Sequence, residues 1–267
     1  MKKLKKIIKT FVDGDILVYQ IASATEVPVD WGDNWWGLYA DLKEAKQLLD
    51  DKFKRLLETV AVDYCLHDDG YWHDIPRLDV KVVLSDSGSN WRTSILPSYK
   101  HNREGKRKPI LWGELRKYLI DRYKAIIWPR LEADDVIGIL ATRNSIVVSD
   151  DKDFKTIPCL LYRPLDGRYQ RITKSAARRA HLTQTLVGDS ADGYKGCPGV
   201  GAVKAERILQ KGTWGEVLEA YEKVGLQFDD AMAQARVAHI LNVRQEYKKR
   251  GASVRLWHPH IISTTFI

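Results

Sequence analysis

Nine carboxylates fall where they could act together. Asp13, Asp86 and the pair Asp151 and Asp153 end three segments that read as buried strands: KIIKTFVD (6–13), DVKVVLSD (79–86) and SIVVSDDKD (145–153). Glu132, Asp134 and Asp135 open a helical pattern, LEADDVIGILAT (131–142), and Asp189 and Asp192 follow another at 180–188. If the strands are parallel, their carboxyl ends converge on one edge, where sites in such sheets lie. Like charges gathered in a small volume raise each other's pKa unless cations join them. Hard oxygen donors select Mg²⁺ or Mn²⁺, not zinc. Two such ions about 3.5–4 Å apart suit in-line hydrolysis of a phosphodiester, one activating water and both stabilising the attacking and leaving oxygens.

Each acid also has a bland reading. Acids in a first helical turn favour the macrodipole, so Glu132, Asp134 and Asp135 alone would be read as capping. Asp13-Gly14-Asp15 alone is a turn. Asp189 and Asp192 alone are loop acids. The i, i+3 spacing puts Glu132 and Asp135 on one helix face, with Asp134 elsewhere. On a strand, Asp151 and Asp153 share one side, and this selects them over Asp150. The set, more than any member, points to metal-dependent chemistry.

The cations are grouped as well. Lys+Arg number 43 against 35 Asp+Glu, net +8. The excess sits in three blocks: residues 1–9, 92–108 and 163–179. Basic blocks beside an acidic remainder suggest a polyanion held against a metal site, although any one block alone would be a solvated face. The segment NWRTSILPSYKHNREGKRKPI (90–110) mixes Arg92, Lys100, Arg103, Lys106, Arg107 and Lys108 with Trp91 and Tyr99. It follows a strand that ends in a candidate ligand, so it could reach over the site and touch the scissile phosphate. Lys100 and Arg103 are three apart and would share a helix face. Either could stabilise charge developing on the phosphate. Farther on, GCPGVGAVKAERIL (196–209) is a glycine-rich turn opening a helix. The backbone N–H groups at Gly199 and Gly201, with Lys204, would suit a phosphate, and an ordinary interhelical turn is the plain alternative.

These residues need a scaffold. A chain of 267 residues forms one large α/β domain or two small ones. Three widely spaced cysteines exclude a disulfide framework and a CxxC zinc site, and they suit a reducing cytoplasm. No apolar run approaches the roughly 18 residues of a spanning helix, and lysines interrupt the N-terminal stretch, so neither a membrane span nor a signal peptide is expected. After the first strand a helix is expected over 16–24, then an aromatic turn from Trp31 to Trp36. Leu42, Ala45, Leu49, Phe53, Leu56 and Val60 recur at helical spacing and predict a long helix over 41–61. A helix at 113–124, a short strand at 125–128 and a fourth strand, CLLYRP (159–164), complete the first two thirds. Beyond about residue 180 the pattern is helical, at 180–188, 201–210, 214–224 and 230–249, with an extended end at 252–259. Alternating strands and helices imply a mostly parallel sheet covered by helices.

Five of these segments, taken in order, resemble the flap endonuclease/5′→3′ exonuclease superfamily: VDGD (12–15), LSDSGSNWRTSILPSYKHNR (84–103), LEADDVIG (131–138), VVSDDKDF (147–154) and GDSADGYKGCPGVGAVKAERIL (188–209). The likeness is greatest to the tailed-phage 5′→3′ exonucleases of the gene-six type. The resemblance implies a PIN-like catalytic domain over 1–178 with a helical arch at 88–112. It implies a helical DNA-binding region over 179–267, with a helix–three-turn–helix clamp at 183–211. It implies two divalent ions, held by Asp13, Asp86, Glu132, Asp134, Asp135, Asp151, Asp153, Asp189 and Asp192. Lys100 and Arg103 match the arch cations that meet the scissile phosphate. Arg92, Tyr99, Lys106, Arg107, Lys108, Gly199, Gly201 and Lys204 are then DNA contacts, with K⁺ at the clamp. The interval from Asp86 to Arg92 is one residue shorter than in the bacterial-polymerase type, which leaves the role of Arg92 open.

The expected activity is a two-metal 5′-nuclease acting on duplex DNA with 5′ ends or flaps, and on RNA in RNA–DNA hybrids. It would work in a host cytoplasm beside replication proteins. Three rivals remain. A non-catalytic binder of DNA structures would leave the acids solvated. An aspartyl-phosphate phosphatase, suggested by FVDGD (11–15), would use its first aspartate as nucleophile and need no clamp. A PIN-type ribonuclease would lack the helical clamp.

Overall fold

The computed structural model describes residues 6–67 and 75–259. Lys-rich residues 1–5 of the first basic block lie outside the described residues. The chain begins with β1 (Ile7–Asp13) and α1 (Gly14–Ala24), followed by a hairpin of β2 (Val27–Asp30) and β3 (Trp36–Tyr39). Next come α2 (Leu42–His67), β4 (Arg77–Val83), α3 (Trp112–Tyr123), α4 (Ala133–Leu140) and β5 (Ile146–Val148). β6 (Leu160–Arg163) and β7 (Arg168–Arg171) precede four helices, α5 (Lys174–Val187), α6 (Ala202–Ile208), α7 (Trp214–Glu222) and α8 (Phe228–Ala238). A short ladder of β8 (Tyr247–Lys248) and β9 (Ser253–Val254) follows.

The main sheet has the order β4-β1-β5-β6-β7. Its first four strands are parallel and β7 is an antiparallel edge. The mostly parallel sheet flanked by helices is therefore the observed fold. β1 is flanked by β4 and β5, so the chain leaves β1 toward one side and returns on the other. Asp13 ends β1 at this switch point, where open α/β sheets form their crevice. Side chains alternate along a strand. Ile8 and Val12 of β1 pack with Leu17, Val18, Ile21, Leu49, Phe53, Leu115 and Leu119 from α1, α2 and α3. Phe11 faces the opposite core, with Trp91, Val136, Ile137 and Leu241. Close packing extends to Gly14, where a Cβ would come 2.8 Å from Val82 Cγ1 and 2.9 Å from Leu84 Cδ2. Only glycine lets α1 start so near β4. Helices α5 to α8 bury a third core of Leu182, Leu186, Ala205, Leu209, Trp214, Val217, Tyr221 and Met232.

Several elements differ from the sequence expectation. The aromatic turn is the tip of a hairpin. The second strand stops at Val83, so Asp86 lies three residues beyond it. The third stops at Val148, and Lys152–Thr156 forms a 3-10 turn capped by the Asp151 side chain. Asp151 and Asp153 are thus not a strand pair. β7 was unexpected; it lies inside the third basic block. The helix expected over 230–249 ends at Ala238, because the His239 carbonyl is taken by Arg92 and the His239 ring turns to Glu246. The arch segment carries only two 3-10 turns, Trp91–Ser94 and His101–Arg103, and no α-helix before Trp112. Among the described residues no helix is long and apolar enough to cross a membrane.

Candidate active site

The carboxylates gather at the carboxyl ends of β1, β4 and β5, under the arch segment. Asp13 caps α1, accepting the Asp15 amide at 3.1 Å, and receives the Ser149 hydroxyl at 3.3 Å. Burial, then the charges of Asp15 and Asp151, push the Asp13 carboxyl up to about 7. Asp15 is turned away, accepting the Ser85 amide at 2.8 Å and pairing with Arg116. Asp151 accepts the Asp153 amide at 2.9 Å. Burial, then Asp151 and Asp192, raise Asp153 to about 7, and Gln184 donates to its Oδ1. Asp150 points to the β6–β7 turn, where it accepts the Leu165 amide at 2.9 Å. Asp151 and Asp153 lie beside the other acids, whereas Asp150 turns to Leu165.

A second group forms at the start of α4. Ligand atoms of Glu132, Asp134 and Asp135 all lie within 4.8 Å of one another. Asp86 supports this turn, accepting the Arg130 amide at 2.8 Å and the Gly88 amide at 2.9 Å. Burial, then Glu132 and Asp135, raise Asp134 well above the carboxylate range. Glu132 is held differently. Burial opposes its charge, yet Lys100 and Arg92 bring it down to about 2.

Arg92 and Asp135 correct the sequence expectation. A guanidinium has five N–H donors and a carboxylate about four acceptor positions. Arg92 gives two bonds to Asp135 (2.7 and 2.8 Å), one to Glu132 (2.9 Å), one to the Val237 carbonyl (2.9 Å) and one to the His239 carbonyl (2.8 Å). Asp135 also accepts the Trp91 indole N–H at 2.9 Å and the Leu241 amide at 3.1 Å. Donors and acceptors are used up on both sides. Asp135 is near the cluster but has no lone pair left for a metal, and Arg92 has no donor left for DNA. Tyr99 is also buried, its hydroxyl 2.8 Å from Glu132 Oε2 and 3.1 Å from Asp192 Oδ2, with one proton to share between the two carboxylates. It belongs to the site wall.

The expected shared helix face of Lys100 and Arg103 is absent, yet the two side chains converge. Lys100 has φ +56°, uncommon for a residue with a Cβ, and its amide donates to the Asp192 carbonyl at 2.8 Å. Its ammonium pairs with Glu132 and lies 3.5 Å from Asp192 Oδ2, while Arg103 pairs with Asp192 Oδ1. Burial works against the Lys100 charge, but Glu132 and Asp192 outweigh it and raise its pKa. Asp189 accepts Lys152 at 2.7 Å and the Ala191 amide at 2.8 Å. Although burial opposes it, these partners hold the Asp189 carboxyl below its ordinary value. Ser98 and Asn102 also bond to the 190–193 backbone, so the arch is stitched to the turn after α5.

Other candidates lie apart. Arg107 makes a two-pronged pair with Glu26, Lys108 stands 3.7 Å over the Trp112 ring, and Lys106 is exposed. Gly199 and Gly201 are exposed before α6, with the Lys204 ammonium 3.2 Å from the Gly199 carbonyl. Sequence reasoning missed Ser149, Gln184 and Lys152 as partners of the acids. Lys152 was legible as the cation inside DDKD; the others carry no signal alone.

The donor set is all oxygen, and three of its carboxyls (Asp13, Asp134 and Asp153) are driven toward protonation by burial and then by neighbouring acids. Such a set fits hard divalent cations, which would restore the ionised forms.

A parallel-core sheet with acids at its strand ends, a cationic segment above them and a helical region beside them defines a 5′-nuclease type of site. No family model matches the chain. An exodeoxyribonuclease of Enterobacteria phage T3 is 30% identical over 93% of this chain and 92% of its own length. A flap endonuclease, Xni, of Shewanella oneidensis is 28% identical over 49% of this chain and 57% of its own. The bacteriophage T5 flap endonuclease, solved with DNA and metal ions, shares the fold at a TM-score of 0.56, with 14% identity, 87% of this chain covered and 89% of that one. The chain belongs to the flap endonuclease/5′→3′ exonuclease superfamily.

Proposed function

We propose that this protein is a metal-dependent 5′→3′ exonuclease/flap endonuclease that hydrolyses phosphodiesters at or near 5′ ends of duplex DNA. The observation that carries the reading is Lys100, held between Glu132 and Asp192 above a pool of carboxylates. Asp13, Asp86, Glu132, Asp134, Asp151, Asp153, Asp189 and Asp192 would hold two ions, Mg²⁺ or Mn²⁺. Bound there, the ions supply an activated water and neutralise phosphate charge. Asp135 is a positioning residue: with Arg92 and Trp91 it fixes the start of α4.

The chain's own groups do the rest. Lys100 and Arg103 exchange their carboxylate partners for the scissile phosphate as it arrives and hold it in line. Water adds to phosphorus, the bond to the 3′ oxygen breaks, and that oxygen takes up a proton. The products carry a 5′-phosphate and a 3′-hydroxyl. Duplex DNA lies along α5 and α6, with the Gly199–Gly201 turn and Lys204 on its backbone and a K⁺ at the turn. Lys106 and Lys108 meet phosphates nearer the end. RNA in RNA–DNA hybrids is a further substrate, in a host cytoplasm beside replication proteins. The catalytic domain is taken as 1–178 and the helical DNA-binding region as 179–267, with α5 (Lys174–Val187) crossing from one to the other.

The test uses duplex, flap and hybrid substrates labelled at the 5′ or the 3′ end, with Mg²⁺ or EDTA. Early release of label from the 5′ end only with metal supports the reading. Binding without cleavage under every metal tried would replace it with a structural binder.

A further inference from the structure

The β2–β3 hairpin lies outside the site and presents exposed aromatic side chains. Trp31, Trp35 and Trp36 are 74%, 75% and 65% exposed. Three indoles in water on one short tip mark a surface that something else covers. The tip is rigid. Asp30 accepts the Gly32 amide at 2.9 Å, the Trp31 amide donates to the Trp35 carbonyl at 2.8 Å and the Trp35 amide to the Gly32 carbonyl at 2.8 Å. The Trp31 ring lies across Gly37, where a Cβ would stand 2.8 Å from its Nε1.

The hairpin is anchored to the arch. Glu26, just before β2, takes both prongs of Arg107 and the Ile110 amide at 2.8 Å. That limb carries Lys106 and Lys108 and continues from Lys100 and Arg103. The base of the aromatic hairpin is thus joined to the limb that carries these cations. Stacking faces beside backbone-tracking cations are what single-stranded nucleic acid needs, and every base has a face to stack, so no sequence is read. A protein partner would not use the flanking cations unless it were acidic, whereas a DNA strand uses both.

We propose that Trp31, Trp35 and Trp36 form a stacking platform for nucleobases of the single-stranded 5′ segment of the substrate, feeding it along 104–110 toward Lys100. This rests on the 5′-nuclease reading of the site. The test measures binding in EDTA to labelled duplexes that are blunt, or carry a 5′ or a 3′ oligothymidine extension. Wild type is expected to gain affinity from the 5′ extension. In Trp31→Ala/Trp35→Ala/Trp36→Ala that gain falls by about tenfold, within the range of stacking energies measured per base. Trp31→Tyr/Trp35→Tyr/Trp36→Tyr keeps most of it, and guards against misfolding of the alanine variant. No wild-type gain, a gain untouched by alanine, or an equal loss with the 3′ extension would each overturn the platform. Cleavage of blunt duplex in Mg²⁺ tests the nuclease reading separately. A wild type that gains from the 5′ extension yet never cuts would keep the platform and sink the nuclease.

Discussion

The Arg92 guanidinium clasps the Asp135 carboxylate through two bonds of 2.7 and 2.8 Å, at a point where Arg92 is 1% and Asp135 0% exposed. Because Arg92 also bonds the Val237 and His239 carbonyls, the pair locks the arch base, α4 and the end of α8 together. Removing one partner strands a buried charge, which costs about 3–5 kcal/mol. Arg92→Met and Asp135→Asn should each lower stability on that scale in urea unfolding. A DNA-contact role for Arg92 would instead leave stability unchanged and weaken DNA binding.

Lys100 sits between two carboxylates in a left-handed backbone conformation. In the proposed function a phosphate replaces those acids. Lys100→Ala should reduce kcat by about 10²–10³-fold, the scale for losing one preorganised charge-stabilising donor, with much less effect on KM. Lys100→Arg should recover part of the rate. A loss confined to KM would make Lys100 a steering residue only. Steady-state kinetics on a single 5′-labelled duplex separates the two.

Much of this arrangement was legible because it is periodic or local. The buried-strand reading of residues 6–13 found β1, helical spacing found α2 from Leu42 onward, and strand-end acids found the site edge. What stayed hidden depends on distant partners. Arg92 and Asp135 are 43 positions apart, and nothing in either neighbourhood says that each satisfies the other. The alternation that paired Asp151 with Asp153 on a strand fails because Asp151 bonds the Asp153 amide, a local capping contact that ends the strand and starts a 3-10 turn. The two acids still reach the site, by a different geometry. Lys100 and Arg103 likewise converge through Asp192, not through a helix face.

Asp13 and Asp153 are raised to about 7 by burial and by neighbouring acids. A carboxyl whose folded pKa exceeds its unfolded value contributes stability below the unfolded pKa, and this is lost as pH rises through the folded one. Without divalent ions the protein should therefore lose stability between about pH 4 and pH 7 at these groups. Asp13→Asn and Asp153→Asn should raise Tm in EDTA at pH 8. They should also shrink the further rise that Mg²⁺ gives the wild type, since a ligand bound only to the folded state adds stability. Melting curves across pH with EDTA or Mg²⁺ check both signs. A fall in the EDTA Tm of both variants would show these carboxyls to be structural.

Gly193 tests whether the arch must be seated for the site to work. It has φ +76°, and a Cβ there would stand 2.5 Å from the Ser98 carbonyl oxygen and 3.2 Å from the Lys100 amide. Both atoms are backbone, so neither can swing aside. Gly193→Ala must strain the left-handed turn, at about 1–2 kcal/mol, or push residues 98–100 off the 189–193 turn. The second course moves Lys100 and Arg103 away from Asp192 together. The expected outcome is a modest loss in Tm with a much larger fall in kcat, because displacement of a reacting group by about 1 Å can cost 10²-fold. Gly105→Ala is the control: it has a similar φ of +71° but open space around its Cβ, so it carries the same backbone strain without the clash. Equal losses of kcat in the two variants would show that backbone strain, not the seam between arch and turn, sets the rate.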